Sequence, residues 1–467
     1  MNLGIVATSM KPGSSSVPAS APWDVSPRYG WYVVFVLTVC YTFSFADRQI
    51  LSLLVGPIKH DLSLSDTQIG LLQGLAFASL YAILGFPLGR LADTGSRRNL
   101  IAAGVFVWSV MTAVCSGAMT FASLFLARIG VGAGEATLSP AAMPLISDYF
   151  PEGVLGTALS VYSMAIGIGS GLALIVGGAV VDAVTRLGAI SLPILGVIPG
   201  WRLTFLMIGA PGLLLVLLVF TIREPMRRNL LRRADGQPSK LKLTEVFAQL
   251  GQRRQSMVGI CAGMVFQSIG SWAFFAWAPT FFLRMHHWTA GEAGRTIGVA
   301  TLVFSCSGMC VGGALSDYWQ RKGVSEGPLK VAVISAIGAG AFLGSAMLVS
   351  SARLSVALIA PALFFIGLPN GCMYAAIQLI FPNQIRGQML AIFFMILNLG
   401  GLVFGPLLPG VLNDHLFKSE RMIGSSVALT VVISSVMMLI IFPATYRHYR
   451  RDYALARSMS GSAAPLD

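Results

Sequence analysis

Gly89-Arg90-Leu91-Ala92-Asp93-Thr94-Gly95-Ser96-Arg97-Arg98 is a short polar stretch between two long apolar ones, and the chain contains it twice. The second, more degenerate copy is Gly313-Ala314-Leu315-Ser316-Asp317-Tyr318-Trp319-Gln320-Arg321-Lys322. The offset from Asp93 to Asp317 is close to half of the 467-residue chain. Phe150-Pro151 recurs as Phe381-Pro382 at nearly the same offset. The sequence therefore reads as a duplicated unit, and each half must build the same substructure.

The residues around these markers show what that substructure is. The chain is 55% hydrophobic and only 11% charged, against about 25% charged in a soluble domain. So few charges cannot cover a soluble surface of this size, but lipid removes the need. Twelve apolar stretches are long enough to cross a bilayer, at roughly 29–54, 66–89, 98–118, 121–146, 154–181, 201–222, 256–283, 292–315, 328–350, 354–381, 386–411 and 424–446. This predicts an all-α membrane protein of two six-helix bundles, 29–222 and 256–447. A basic linker at 223–255 joins them, and tails at 1–28 and 448–467 flank them. The first tail is rich in Ser, Pro and Gly and reads as disordered, with no cleavable signal. Within the linker, Leu243, Val246, Phe247 and Leu250 fall at helical spacing beside Lys240 and Lys242; a helix on the inner leaflet and a solvated linker suit this pattern equally.

Lysine and arginine set the orientation. With twelve spans, the segments on the side of both termini hold 22 of the 32 basic residues and the opposite segments hold 8. That bias places both termini in the cytosol. It also accounts for the net charge of +13, so nucleic acid is not an expected partner. Membrane lipids are, and a monomer in the plasma or inner membrane is the expectation. A six-plus-six membrane duplication is the pattern of carriers that rock two bundles around a central site.

The Gly-Arg-Leu-Ala-Asp…Arg-Arg loop resembles the signature loop between helices 2 and 3 of major facilitator carriers. Helix 4, Arg128-Ile-Gly-Val-Gly-Ala-Gly-Glu135, and Asp47-Arg48 of helix 1 are similar to the Spinster branch of that superfamily. The resemblance implies the major facilitator fold, alternating access, and a lysolipid or sphingoid phosphate as substrate. The likeness is strong in the first half and weak in the second. Helix 5 is glycine-rich but lacks the proline of drug–proton antiporters, which leaves the direction of coupling open.

Only four charged residues fall well inside predicted spans: Asp47, Arg48, Arg128 and Glu135. A charge at mid-membrane costs about 2.5–3.5 kcal/mol on insertion scales, so four in one half point to a functional site. Arg128 and Glu135 are seven positions apart on one helix face, about 10 Å along the axis. Asp47 lies at the depth of Arg128 and is its expected partner. Arg48 is rotated about 100° from Asp47, so one of the two faces the cavity and the other a neighbouring helix. Asp47 and Glu135 are the expected proton-coupling residues. Arg48 and Arg128 are the expected ligands for an anionic head group, since Arg binds such groups in bidentate fashion. The alternative for Arg128 is that it only neutralises a carboxylate.

The second-half spans carry no Asp, Glu, Lys or Arg well inside. They offer Trp272, Trp277, Asn370 and Tyr374 as the opposite wall of the site. One charged wall and one aromatic, weakly polar wall suit an amphipathic anion. Small sugar acids carried with protons and proton-driven drug export are the rival readings. Asp93, Arg97, Arg98 and Asp317 are expected to gate the cytosolic side. Asp93 would meet the N-terminal end of the eleventh span near Arg386, Asp317 would do the same, more weakly, for the fifth, and Arg97 and Arg98 would pair with acids such as Asp148 or anchor to lipid head groups. The histidines lie in loops or at helix ends, and the six cysteines show neither disulfide nor metal spacing. No enzyme, cofactor or metal centre is expected, and no Walker loop is present.

Overall fold

The computed structural model describes residues 27–150, 152–187, 190–192, 196–225, 249–381 and 385–461. Residues 226–248, which hold most of the expected linker helix, lie outside the described residues. Twelve helices are long and apolar enough to cross a membrane. They are span 1 (Arg28–Leu53), span 2 (Asp66–Gly85), span 3 (Arg97–Cys115), span 4 (Phe121–Tyr149), span 5 (Thr157–Leu187) and span 6 (Gly200–Phe220). Span 7 (Arg254–His286), span 8 (Ala290–Arg321), span 9 (Gly327–Ala346), span 10 (Ala352–Ile380), span 11 (Gln388–Phe417) and span 12 (Glu420–Ser458) complete the set. Helices satisfy every backbone donor and acceptor internally, which hydrocarbon demands. A small antiparallel hairpin, Ile190–Leu192 with Gly196–Ile198, sits in the loop between spans 5 and 6.

Sequence-local chemistry sets several boundaries. Span 2 starts at a capping box made by Ser65 and Gln68, and span 8 at one made by Thr289 and Glu292. Each box satisfies backbone donors that the first helical turn leaves without partners. Span 4 breaks between Glu135 and Leu138. Pro140 explains the position: it has no N–H for the Ala136 carbonyl, and its ring crowds that carbonyl. Glu135 is thus the last residue of the first helical segment, next to a local opening of the backbone.

The buried residues form three clusters. One joins spans 1–6 to spans 7–12 and lies on the far face, where span 1 ends and span 12 starts, through residues such as Leu54, Leu72, Trp277, Phe282 and Val427. The other two lie toward the face where span 1 starts and span 12 ends, the basic face. One is centred on spans 1–6 and the other on spans 7–12. The two bundles therefore share a core at the far face and have separate cores at the basic face. Close backbone approaches seal the far side. A Cβ on Gly74 would fall 2.6 Å from the Leu402 carbonyl oxygen, and one on Gly178 would fall 2.5 Å from that of Ala290. Only glycine permits these crossings of span 2 with span 11 and span 5 with span 8.

Candidate functional site

The four intramembrane charges sort into two ion pairs, each joining span 1 to span 4. Arg48 donates from Nε to Glu135 Oε2 at 2.7 Å, and its Nη2 lies 2.6 Å from the same oxygen. Ser44, one turn earlier on span 1, also donates to Glu135 Oε2. The Arg48 guanidinium is ringed by aromatics, 4.5 Å from the Phe77 ring centre, 4.8 Å from Phe45 and 5.2 Å from Tyr81. The faces of those rings are negative and favour a cation. The Arg48 side chain keeps 9% of its surface exposed, whereas that of Glu135 keeps none.

The second pair is looser and deeper. Arg128 Nη1 lies 4.0 Å from Asp47 Oδ1 and donates to the Asp47 backbone carbonyl at 3.4 Å. Thr112 of span 3 donates its hydroxyl to Asp47 Oδ2. Helical rotation places the neighbours Asp47 and Arg48 on different sides of span 1, so each meets a different residue of span 4. The four charges sum to zero. Three of their polar atoms are buried without a hydrogen-bond partner: Asp47 Oδ1, Arg128 Nε and Glu135 Oε1.

Two of the expected substrate ligands are deeply buried. Arg128 is only 1% exposed and is held between Asp47 and the Phe77 ring of span 2. Trp277 is fully buried, and its indole N–H donates to the Pro406 carbonyl at 2.8 Å. It belongs to the closed far-face core and not to a cavity wall, because its polar edge already has a partner. Three other second-half candidates remain half-buried. Trp272 packs against span 11 at Gly405. Asn370 donates to the Ile366 carbonyl at 3.4 Å. Tyr374 packs 5.0 Å from Phe394 between ring centres.

On the basic face Arg97 donates to Asp148, so the signature loop is tied to the end of span 4. Arg98 turns to the Asn99 side chain and the Ile222 carbonyl. Its backbone N–H and that of Arg97 donate to the Glu224 carboxylate, which also takes the Ser96 hydroxyl. Burial alone would raise the Glu224 carboxyl, but these donors hold it below the usual range. Asp317 is exposed, and the side chain of Asp93 lies outside the described residues.

Sequence reasoning missed a second charged cluster at the far face. Arg284 of span 7 grips Asp66 of span 2 with two hydrogen bonds of 2.8 Å. Lys59 adds a third at 2.8 Å and Asn413 a fourth at 2.7 Å. Asp66 is completely buried, and the cluster bridges the two bundles. These residues stand at span ends, where single charges are common, so intramembrane position gave no signal for them.

Known proteins resemble the chain over nearly its whole length. An MFS-type efflux pump of Mycolicibacterium smegmatis is 28% identical over 442 residues, covering 91% of this chain and 95% of that protein. A hexuronate transporter of Bacillus subtilis is 26% identical over 391 residues, covering 82% and 88%. The solved structure of a bacterial homologue of the human lysosomal transporter Spinster, inward-facing and occupied, is 25% identical with a TM-score of 0.72, covering 92% of this chain and 97% of that one. The likeness thus extends beyond the Spinster branch to efflux and sugar-acid carriers. Twelve spans, two halves joined at one face, and a match of residues 37–378 to the Major Facilitator Superfamily identify the chain as a member of that family, a multi-pass secondary transporter and not an enzyme.

Proposed function

We propose that this transporter couples protons to the movement of an amphipathic anion of the lysolipid class, with Glu135 as the proton site and Arg48 as the head-group ligand. The observation that carries this reading is the Arg48–Glu135 pair, in which the arginine keeps some exposure and Glu135 Oε1 accepts no hydrogen bond. A proton on Oε1 would neutralise Glu135 and leave Arg48 with a positive charge to balance. A phosphate or carboxylate head group can balance it through a bidentate contact. Proton and anion then favour each other's binding, and the coupling is reciprocal. Asp47 is the second proton-linked candidate, held in reserve by Arg128. The facing wall from spans 7 and 10, with Trp272, Asn370 and Tyr374, carries no charge and suits an apolar body.

A second reading, a small sugar acid carried on the same arginine, draws on the likeness to the hexuronate transporter. One experiment separates the two. The purified protein is reconstituted in liposomes under an imposed proton gradient, and uptake of a lysophospholipid is compared with that of a hexuronate. Gradient-dependent movement of the lysophospholipid is expected, with at least a tenfold loss in Glu135→Gln. Transport of the hexuronate alone supports the second reading. Full gradient-driven transport by Glu135→Gln overturns the proton assignment under either.

A further inference from the structure

The far face contains a feature that the signature loops do not account for. At the start of span 2, the backbone N–H groups of Asp66 and Thr67 donate to the two carboxylate oxygens of Asp414, at 3.3 Å and 2.6 Å. At the start of span 8, the backbone N–H of Gly291 and the hydroxyl of Thr289 donate to the two oxygens of Asp182, at 3.0 Å and 2.8 Å. Asp414 follows span 11's α-helical part and reaches across to the first bundle; Asp182 lies near the end of span 5 and reaches across to the second. Each carboxylate faces the positive end of a helix dipole in the opposite bundle.

These two contacts are copies of one another under the internal repeat. Ser65 and Thr289, the capping residues of the two helices, have the same spacing as Asp93 and Asp317. Thr67 and Gly291, whose amides are held, share that spacing too. Asp182 and Asp414 stand one position further apart than Phe150 and Phe381. The extra residue has a structural counterpart. Leu412–Phe417 is a π-helical turn, which takes one more residue per hydrogen-bonded loop than an α-turn. It lets Asn413 and Asp414, neighbours in sequence, contact Asp66 and the span 2 amides together. Gly291 is needed on the other side, since a Cβ there would collide with the Asp182 carboxylate.

We propose that Asp182 and Asp414 are a symmetric pair of gating residues, each latching its own bundle to a helix N-terminus of the other and together holding the far face shut. Both carboxylates are half-buried at span ends, so water can take over their hydrogen bonds when the face opens. The latches are independent of the substrate. They also differ in strength. The span 2 latch is reinforced by the Asp66–Arg284–Lys59 cluster, while the position equivalent to Asp66 in span 8 is Ala290. The span 8 latch therefore depends on Asp182 alone.

Spin labels at Met119 and Leu348, exposed positions on far-face loops of the two bundles, report the opening. In Asp182→Asn the ratio of open to closed distance populations should rise roughly three- to tenfold, the range expected when a carboxylate leaves a helix N-terminus. In Asp414→Asn the rise should be smaller, because Arg284 and Asn413 of the second bundle still hold Asp66. A label pair within one bundle, Met119 with Leu187, should stay unchanged and shows that the bundle is folded. Thr289→Val leaves both aspartates in place and should open the face in the same direction. Unchanged Met119–Leu348 distances in Asp182→Asn and Thr289→Val, or a larger effect of Asp414→Asn than of Asp182→Asn, would overturn the proposal.

Discussion

Spans 4 and 10 occupy matching places in the repeat, with Phe150 and Phe381 marking their basic-face ends. At the spacing of those two phenylalanines, Arg128 and Glu135 correspond to Ile359 and Ile366. In span 4 the side chains at these positions are ion-paired to span 1. In span 10 the polar contact comes from the backbone, where the Ile366 carbonyl accepts the Gln267 amide of span 7 at 3.0 Å. One proline lies near each site. Pro140 follows the break below Glu135, and Pro369 removes a donor for the Phe365 carbonyl, which takes the Ser335 hydroxyl instead. Spans 4 and 10 thus share a nearby proline and stitching hydrogen bonds, but span 4 breaks and span 10 does not, and of the two only span 4 carries the cost of burying an intramembrane ion pair. Under the proposed function the proton chemistry needs one wall only, and the other wall is left to match the body of the substrate.

The comparison can be broken most severely at Arg128. Arg128→Ala leaves Asp47 buried without its cation, and removal of one member of a buried pair costs about 3–5 kcal/mol. Thermal unfolding in detergent should show a large drop, with partial recovery in Arg128→Lys. A wild-type melting curve would mean that Asp47 is already uncharged in the folded protein.

The reverse exchange should be nearly as costly. Ile366→Glu places a carboxyl at the span 10 counterpart of Glu135 without an arginine beside it, at a cost of about 2.5–3.5 kcal/mol. Expression and melting temperature should both fall. If the variant is instead tolerated and transports as well as the parent, the uncharged wall is a matter of history and not of mechanism.

A milder test removes the neutral stitch. Gln267→Leu loses one hydrogen bond to span 10, worth about 1 kcal/mol, and should lower stability slightly while leaving the proton dependence of transport intact. Loss of proton dependence would move the coupling site into the second half.

The smallest effect concerns the basic face of the second half. Burial alone would raise the Glu326 carboxyl, but hydrogen bonding from Arg450, at 2.5 Å, and the nearby Lys330 pull it down to about 2. The folded value lies below the unfolded one of about 4.3. The stabilisation from this pair is therefore full above that pH and is lost as pH falls toward 2. Glu326→Gln should flatten this part of the acid-stability curve and leave neutral stability almost unchanged; an identical acid curve would show that the pair contributes nothing.

Hydropathy made the twelve spans legible because lipid imposes its requirement segment by segment, whatever the neighbours. Asp47, Arg48, Arg128 and Glu135 were legible for the same reason, as charges placed where charges are costly. The Asp47–Arg128 pairing could be read from depth along two antiparallel helices. The Arg48–Glu135 pairing could not, because it depends on how span 1 is rotated against span 4. Asp66, Asp182 and Asp414 looked like ordinary loop charges, although the paired capping residues Ser65 and Thr289 were a visible trace of the repeat at the far face.

The sequence by itself determined the membrane setting, the division into two halves and the four charges placed well inside spans, since each of these is legible from composition along the chain. The tertiary structure alone decided that Arg48 and not Arg128 keeps some exposure, that Trp277 is core, and that two aspartates reach helix starts in the opposite bundle. Those outcomes depend on helix rotation and crossing, which bring together side chains and backbone far apart in sequence, such as Arg48 with Glu135 and Asp414 with Asp66, and which no local pattern encodes.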